Sequence, residues 1–240
     1  MKQLHFPSVD PAAQLACDEA VLNWCEQTGE AEVLRFWEPA TPFVVLGIGN
    51  HAGREADLAE CAALGVPVFR RCSGGGAVLQ APGCFNFSLV LRIPAGENPL
   101  NAQALHRRVL DAHRDAIRTL LRADVQTQGV SDLTLGALKF SGNAQKRRLR
   151  SALYHGTFLF EINFDLMEKV LRFPSRRPEY RRDRGHRNFL TTLPAAVRPS
   201  LVAALGGAWN VSGPLEGFPF DAVQELVAGK YSQPSWNLKI

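Results

Sequence analysis

"RRCSGGGAVLQAPGCFNFS", Arg70 to Ser88, sets three consecutive glycines two residues behind a pair of arginines and between two stretches of strand composition. Glycine inside regular structure costs roughly 0.5–1 kcal/mol relative to alanine. A run of three marks a place where side chains are unwelcome. Two readings account for it: a tight glycine hairpin, or bare backbone against which a ligand lies. This stretch alone leaves both open.

Outward from it, "VPVFRRCSGGGAVLQ" (66–80) and "CFNFSLVLRI" (84–93) read as strands on either side of Pro82-Gly83. Upstream, Asp10 can cap a helix over 10–29, Pro11 suits its first turn and Gly29 its stop. Leu15, Val21, Leu22 and Trp24-Cys25 give that helix an apolar face. "EVLRFWEP" and "PFVVLGIGN" predict two strands parted by a proline-rich turn, and "GREADLAECAALG" predicts a helix over 53–65. Downstream, Leu105, Val109, Ala112, Ala116 and Leu120 keep helical spacing within 99–123. "LGALKFSGNAQKRR" (135–148) and "SALYHGTFLFEI" (151–162) predict a hairpin, followed by a short helix over 165–171. A basic loop over 172–189 and two further short helices complete the chain. With no linker and no repeat, residues 1–240 read as a single α/β domain of the α+β type, a mostly antiparallel, mixed sheet flanked by helices.

A hydrophobic content of 46%, 21% charged residues and a net charge of +4 describe an ordinary globular chain that permits an anionic partner without demanding one. The first apolar run is short and carries Asp18 and Glu19, unlike a signal peptide. No stretch of about 18 uncharged apolar residues offers a membrane span. The five cysteines, Cys17, Cys25, Cys61, Cys72 and Cys84, show no C-x-x-C spacing and read as reduced thiols. A cytoplasmic protein with no membrane partner is the expectation.

The phosphate loop G-x-x-x-x-G-K-[ST] and the nucleophile elbow G-x-S-x-G are absent, and "GIGNHAG" lacks the context of a dinucleotide fingerprint. Cys72 and Cys84 flank the glycine run, yet a thiol nucleophile needs a nearby base and a lowered pKa. Lys139 stands alone among Leu135, Gly136, Ala137, Leu138, Phe140, Ser141 and Gly142. Small residues around one ammonium group suit a site lysine, and strand alternation equally allows an outward-facing one. His155-Gly156 on the return strand can line the same site. Arg172, Arg176, Arg177, Arg181, Arg182, Arg184 and Arg187, with Lys146, Arg147, Arg148 and Arg150, form a basic run whose ordinary reading is a solvated face. Nucleic-acid binding wants interleaved aromatics, and Tyr180 is the main one here.

Together, "RRCSGGGAV" and, about sixty residues on, "LKFSGNAQKRR…YHGTFLF" resemble the lipoate–protein ligase A family. The resemblance covers most of the chain, from the first helix and "VLRFWEP" through "PFVVLGIGN" to the closing "KYSQPSWN". It implies the biotin/lipoate protein ligase catalytic fold, which is class II synthetase-like. It implies ATP-dependent activation of lipoate or octanoate to an acyl-adenylate, with Mg²⁺. The acyl group then passes to a lysine of a lipoyl acceptor domain, as in 2-oxoacid dehydrogenases or the glycine cleavage H protein. Carried over residue by residue, Lys139 is the catalytic lysine and Arg71 faces phosphate or adenylate. Ser73, Gly74, Gly75, Gly76 and Ala77 cover the acyl chain and adenylate with backbone. Asn86 belongs to the substrate or nucleotide site, and Asp132 helps with the metal or nucleotide. Gly142, Asn143 and Ala144, with His155, Gly156 and Thr157, line the acyl pocket.

The resemblance has departures. Gln80 stands where the family often has a histidine. The longer bacterial ligases carry a C-terminal accessory domain, and no segment here reads as one, so a separate accessory subunit or a partial reaction is expected. Octanoyltransferases of this superfamily hold the acyl group on a cysteine in the second half of the domain. No cysteine follows Cys84, which favours an adenylate-forming ligase over an octanoyl or lipoyl transferase without its own adenylation. A non-enzymatic nucleic-acid-binding module on the same fold is the remaining alternative, and nucleic acid is not the expected partner.

The implied chemistry suits these residue types. A carboxylate attacking an anionic phosphate needs its charge screened, and Arg71 and Lys139 supply cations for that. Two unit charges 4 Å apart are worth ~4 kcal/mol at an effective dielectric of 20. An octanoyl tail buries about six methylene-sized units, contributing ~5 kcal/mol. Bare backbone at Gly74–Gly76 then forms one wall of its slot. The basic loop suits commonly acidic lipoyl domains, so charge reversal at Arg181 and Arg182 is expected to slow transfer while sparing adenylate formation.

Overall fold

The structure is a computed structural model that describes residues 1–94, 96, 101–175 and 177–239. In chain order its elements are β1 (Lys2–Leu4), α1 (Pro11–Thr28), β2 (Val33–Trp37), β3 (Phe43–Leu46), α2 (Ala52–Glu55), α3 (Leu58–Ala63), β4 (Val68–Arg70), β5 (Val78–Gln80) and β6 (Cys84–Arg92). After these come α4 (Ala102–Leu121), β7 (Val125–Gln128), β8 (Asp132–Leu135), β9 (Leu138–Arg147), β10 (Ser151–Leu159), α5 (Phe164–Val170), α6 (His186–Phe189), α7 (Arg198–Ala208), α8 (Asp221–Leu226) and α9 (Pro234–Asn237). Seven strands form the main sheet in the order β1-β2-β6-β10-β9-β8-β7. Only the β1–β2 pairing in it is parallel. A smaller sheet, β4-β3-β5, stands beside it. This is the α/β architecture with mixed sheets that the sequence predicts.

Strand β6 shows why the sheet has two unlike faces. Phe85, Phe87, Leu89 and Leu91 alternate onto one face and pack in a core with Leu105, Val109, Leu110 and Ile117 of α4 and Leu201 and Leu205 of α7. The intervening positions put Asn86 and Ser88, both buried and polar, on the other face. That face is covered by α1, whose start is capped by the Asp10 carboxylate accepting from the Ala12 and Ala13 amides and whose end is Gly29 at φ 67°.

Four expectations change. The helix over 53–65 is two short helices, because Ala56 leaves the helix to bridge Leu171. The strand over 66–80 is interrupted: β4 ends at Arg70 and β5 begins at Val78, so the glycine run is their connecting loop. Strands β1, β7 and β8 went unread, being only three or four residues long. The long helix starts at Ala102, capped by Asn101; Pro99 and Leu100 lie outside the described residues, as does Arg176 of the basic loop.

The C-terminal segment packs onto the first helix and the end of β4. Lys230 Nζ and Tyr231 Oη donate to the Glu19 carboxylate of α1. Arg70 is fully buried without a carboxylate partner among the described residues. Its guanidinium donates to the backbone carbonyls of Gly47, Ile48, Asn50, Trp236 and Lys239. Among the described residues, no helix is long and apolar enough to cross a membrane.

Candidate active site

Strand register lays out the site. Trp37 pairs with Asn86, Asn86 with Thr157, Thr157 with Gly142 and Gly142 with Asp132, one row across β2, β6, β10, β9 and β8. Four inter-strand steps of about 4.8 Å put its ends roughly 19 Å apart. All five residues line a cleft of about 430 Å³. The glycine loop forms another of its walls, through Gly75, Gly76 and Ala77, and Lys139, Asn143, Ala144, His155 and Gly156 also line it. The two motifs, far apart in sequence, thus meet. Ser73 and Gly74 are not among the lining residues.

At one end of the row, Leu15, Trp37 and Val45 give the cleft apolar walls. In the middle, Gln80 Nε2 donates to Thr157 Oγ1 (2.9 Å), Thr157 Oγ1 to Asn86 Oδ1 (2.5 Å) and Asn86 Nδ2 to Gln80 Oε1 (2.9 Å). This closed ring uses both ends of the Gln80 amide and gives that departure a structural role. At the far end, Lys139 Nζ lies 2.8 Å from Asp132 Oδ1, and Tyr180 Oη donates to Asp132 Oδ2 at 2.7 Å. Burial and the Asp132 charge push the Tyr180 phenol far above its ordinary value, so it stays a donor.

The glycines divide by need. A side chain at Gly75 (φ +89°) would stand 2.7 Å from the Arg71 guanidinium, whereas Gly74 and Gly76 have open space. The run is therefore strictly required only at its centre. The Arg71 side chain is spent on the loop: Nε donates to Ser73 Oγ and Gly74 O, and Nη2 to Gly74 O and Gly76 O. Burial lowers its pKa to about 10, so it remains charged at neutral pH, and it both shapes the loop and lines the cleft.

Gly142 is needed for a different reason. A Cβ there would sit 2.6 Å from Lys139 Nζ and 2.7 Å from its Cε. The clash is with the end of a flexible chain, so Gly142→Ala is expected to leave stability within about 1 kcal/mol. It displaces the ammonium group, and a misplacement of this kind can cost about a hundred-fold in rate. Thermal melting and steady-state kinetics on one preparation check both halves.

Sequence reading missed a buried polar network. Asp18 accepts from Arg35 Nη1 (2.5 Å), Ser88 Oγ (2.6 Å) and His155 Nδ1 (2.8 Å), and His155 Nε2 lies 2.6 Å from Ser73 Oγ. Burial raises the Asp18 pKa, but the His155 hydrogen bond, the Arg35 charge and Ser88 outweigh it and leave the carboxyl below its ordinary value. The order Ser73–His155–Asp18 has the connectivity of a nucleophile triad. However, Ser73 is 1% exposed and lines no part of the cleft, so its hydroxyl anchors the loop. The signal available beforehand was an acid pair, Asp18-Glu19, inside an apolar helix.

None of the five cysteines lines the cleft. Burial pushes the thiols of Cys17 and Cys84 up to about 11 and those of Cys25 and Cys72 up to about 12, and raises Cys61. Among the described residues no group of three or more His, Cys, Asp or Glu side chains could hold a metal, and both oxygens of Asp132 are already engaged.

Much of the basic run is a solvated face, with Arg172, Arg177, Arg182 and Arg187 exposed, and its charges are partly offset by ion pairs. Arg187 pairs with Asp165 and Glu168, Arg172 with Asp57, Arg177 with Asp183 and Arg150 with Glu26. Arg181 is 6% exposed and lines the cleft. Charge reversal there strikes the cleft wall, so the paired Arg181 and Arg182 experiment does not isolate docking.

Residues 10–204 match the family described as the lipoyl protein ligase A/B catalytic domain. The chain belongs to this family. It is 31% identical over 170 residues to the Mycoplasma pneumoniae protein named "Probable lipoate-protein ligase A", covering 70% of this chain and 48% of that one. It is 29% identical to the octanoyltransferase LipM of Carboxydothermus hydrogenoformans, over 70% of this chain and 68% of that one. The chain spans about half the length of the two Mycoplasma relatives it matches. Its fold matches a bi-partite lipoate protein ligase from Thermoplasma acidophilum, solved with its E2 lipoyl domain, at a TM-score of 0.84, 24% identity and 99% and 95% coverage. It also matches a lipoate-protein ligase A bound with ATP, at a TM-score of 0.79, 25% identity and 99% and 98% coverage. Family membership agrees with the resemblance read from the two motifs.

Proposed function

We propose that this chain activates lipoate or octanoate with ATP and passes the acyl group to a lysine of a lipoyl domain. The observation that carries this reading is the single cleft in which a row starting at Trp37 ends beneath the Lys139 ammonium group. The acyl tail lies along the row, walled by Leu15, Trp37, Val45 and the backbone of Gly75 and Gly76. Its carboxylate comes to Lys139. A carboxylate oxygen attacks the α-phosphorus of ATP, the bond to the β-phosphate oxygen breaks, and pyrophosphate leaves with the electron pair. Lys139, held by Asp132, screens the two anions as they meet. The acceptor amine then attacks the acyl carbonyl and AMP leaves. Magnesium is expected to arrive with the triphosphate, since Asp132 alone makes no protein cage for it.

The similarity to a ligase solved with ATP supports the nucleotide, and the similarity to a bi-partite ligase solved with an E2 lipoyl domain supports both the acceptor class and a separate accessory subunit. ATP–pyrophosphate exchange dependent on lipoate or octanoate tests the reading. Exchange is expected from this chain, alone or with an accessory subunit of the bi-partite kind added. Absence of exchange under both conditions sinks it. The similarity to LipM favours a second reading, transfer from an octanoyl thioester without ATP. Five buried thiols with raised pKa values leave that route without a ready nucleophile, and ATP-independent transfer from octanoyl-acyl carrier protein would establish it.

A further inference from the structure

We propose that Lys146 and Lys239 form a docking surface for an acidic face of the lipoyl acceptor domain; the acceptor itself rests on the function proposed above. The C-terminal segment builds this surface around one ring. Trp236 is fixed by its Nε1 donating to the Arg70 carbonyl at 2.9 Å. The ammonium groups of Lys230 and Lys239 lie 4.0 and 4.2 Å from its centroid. They therefore stand no more than about 8 Å apart, roughly the Debye length at physiological salt. Lys230 is paired with the Glu19 carboxylate. Among the described residues no carboxylate pairs with Lys239 or with Lys146. Burial lowers the Lys239 pKa, and so do the charges of Arg70, Lys230 and Lys146 around it. Charge of one sign gathered in this way is relieved by an anionic partner.

Position selects the partner. Lys146 of β9 pairs with Leu153 of β10, which packs in one core with α1 and Tyr231. Paired residues share a face, so Lys146 stands on the side of the sheet that the C-terminal segment covers. Two residues back on that face is Ala144, which lines the cleft. Its Cβ lies 3.7 Å from where a side chain at Gly75 would begin. Lys146 is thus about 7 Å along the strand from the cleft wall. An acceptor domain that presents a lysine at Lys139 covers the rim of the cleft, and Gly75, Gly76 and Val78 are exposed rim residues. Neither Lys146 nor Lys239 lines the cleft. Compact point charges on open surface suit an acidic protein face, whereas a small anion held in a pocket calls for converging, forked donors. In the basic loop, by contrast, Arg172, Arg177 and Arg187 are already paired with carboxylates.

Octanoyl transfer to an apo E2 lipoyl domain, with ATP–pyrophosphate exchange measured beside it, tests this on the full chain. Lys146→Glu is expected to raise the KM for the domain about tenfold, and Lys146→Glu combined with Lys239→Glu to raise it further, with exchange unchanged in both. Added salt is expected to raise the KM of the parent and to move that of the double variant little. An unmoved KM in the double variant overturns the surface. Equal loss of exchange and transfer also overturns it, making the lysines props of the tail. So does a loss seen only in assembly with an accessory subunit of the bi-partite kind, or only in binding of a generic RNA, which would assign the surface to those partners. Calorimetric binding of the domain that depends on Lys146, in a protein with no exchange activity, would refute the adenylating function and leave the surface standing. Normal exchange with a domain KM insensitive to both variants would do the reverse.

Discussion

Lys139→Met lowers octanoate-dependent ATP–pyrophosphate exchange by about a thousand-fold while the protein stays folded; this is the expected result, on the scale seen when one preorganised charge stabiliser is removed. Among the described residues Lys139 is the only lysine lining the cleft, and the position of its ammonium group is set on three sides. Asp132 holds it at 2.8 Å, the missing Cβ of Gly142 leaves room for it, and the Phe189 ring lies 6.0 Å away. Methionine keeps the length and removes the charge, so a lost rate reports charge. Lys139→Arg is expected to rescue little, because a planar fork does not fit a cradle shaped for a point charge. Exchange within tenfold of the parent in the methionine variant would remove Lys139 from the chemistry.

The second large effect is on stability. Asp18→Ala strips the counter-ion from Arg35, which is 1% exposed, and takes hydrogen-bond acceptors from Ser88 and His155. Breaking one side of a buried pair costs about 3–5 kcal/mol. Chemical denaturation should show a loss of this size, and a loss below about 1 kcal/mol would mean that Arg35 finds other partners. The pH dependence has a defined sign. The folded Asp18 pKa is depressed, so its stabilisation is fully present above the unfolded value of about 3.9 and is lost as pH falls through the folded value below it. Asp18→Asn is expected to remove that portion of the acid sensitivity, measured as a flatter stability profile below about pH 4.

The parts of this architecture that local rules govern were legible in the sequence. Asp10, Pro11 and Gly29 bracket α1 because capping is decided within a few residues, and the hairpin of β9 and β10 follows from adjacent runs with strand composition. The glycine run and Lys139 were readable as candidates, and their meeting in one cleft required the sheet order. What stayed hidden depends on distant neighbours. Nothing near Arg181 in the chain says that Phe173 and Phe189 enclose it. The partners of Asp18 come from β2, β6 and β10. Short strands such as β7 and β8 carry too few residues for a period to show, although β8 begins with Asp132. Arg71 carries a second role that its charge did not reveal: its Nε and Nη2 donate to the loop's own carbonyls, Gly74 and Gly76, while the side chain lines the cleft.

The clamp made by Arg70 joins two places that an experimenter would treat separately. Two of its five carbonyl acceptors, from Trp236 and Lys239, belong to the last few residues, and the others hold the turn after β3 that begins at Gly47. Gly47 in turn lies so close to the Gly75 carbonyl that no side chain fits between them. Trimming the tail past Trp236, or hanging a bulky purification tag close behind Lys239, is thus an operation on the cleft carried out by remote control.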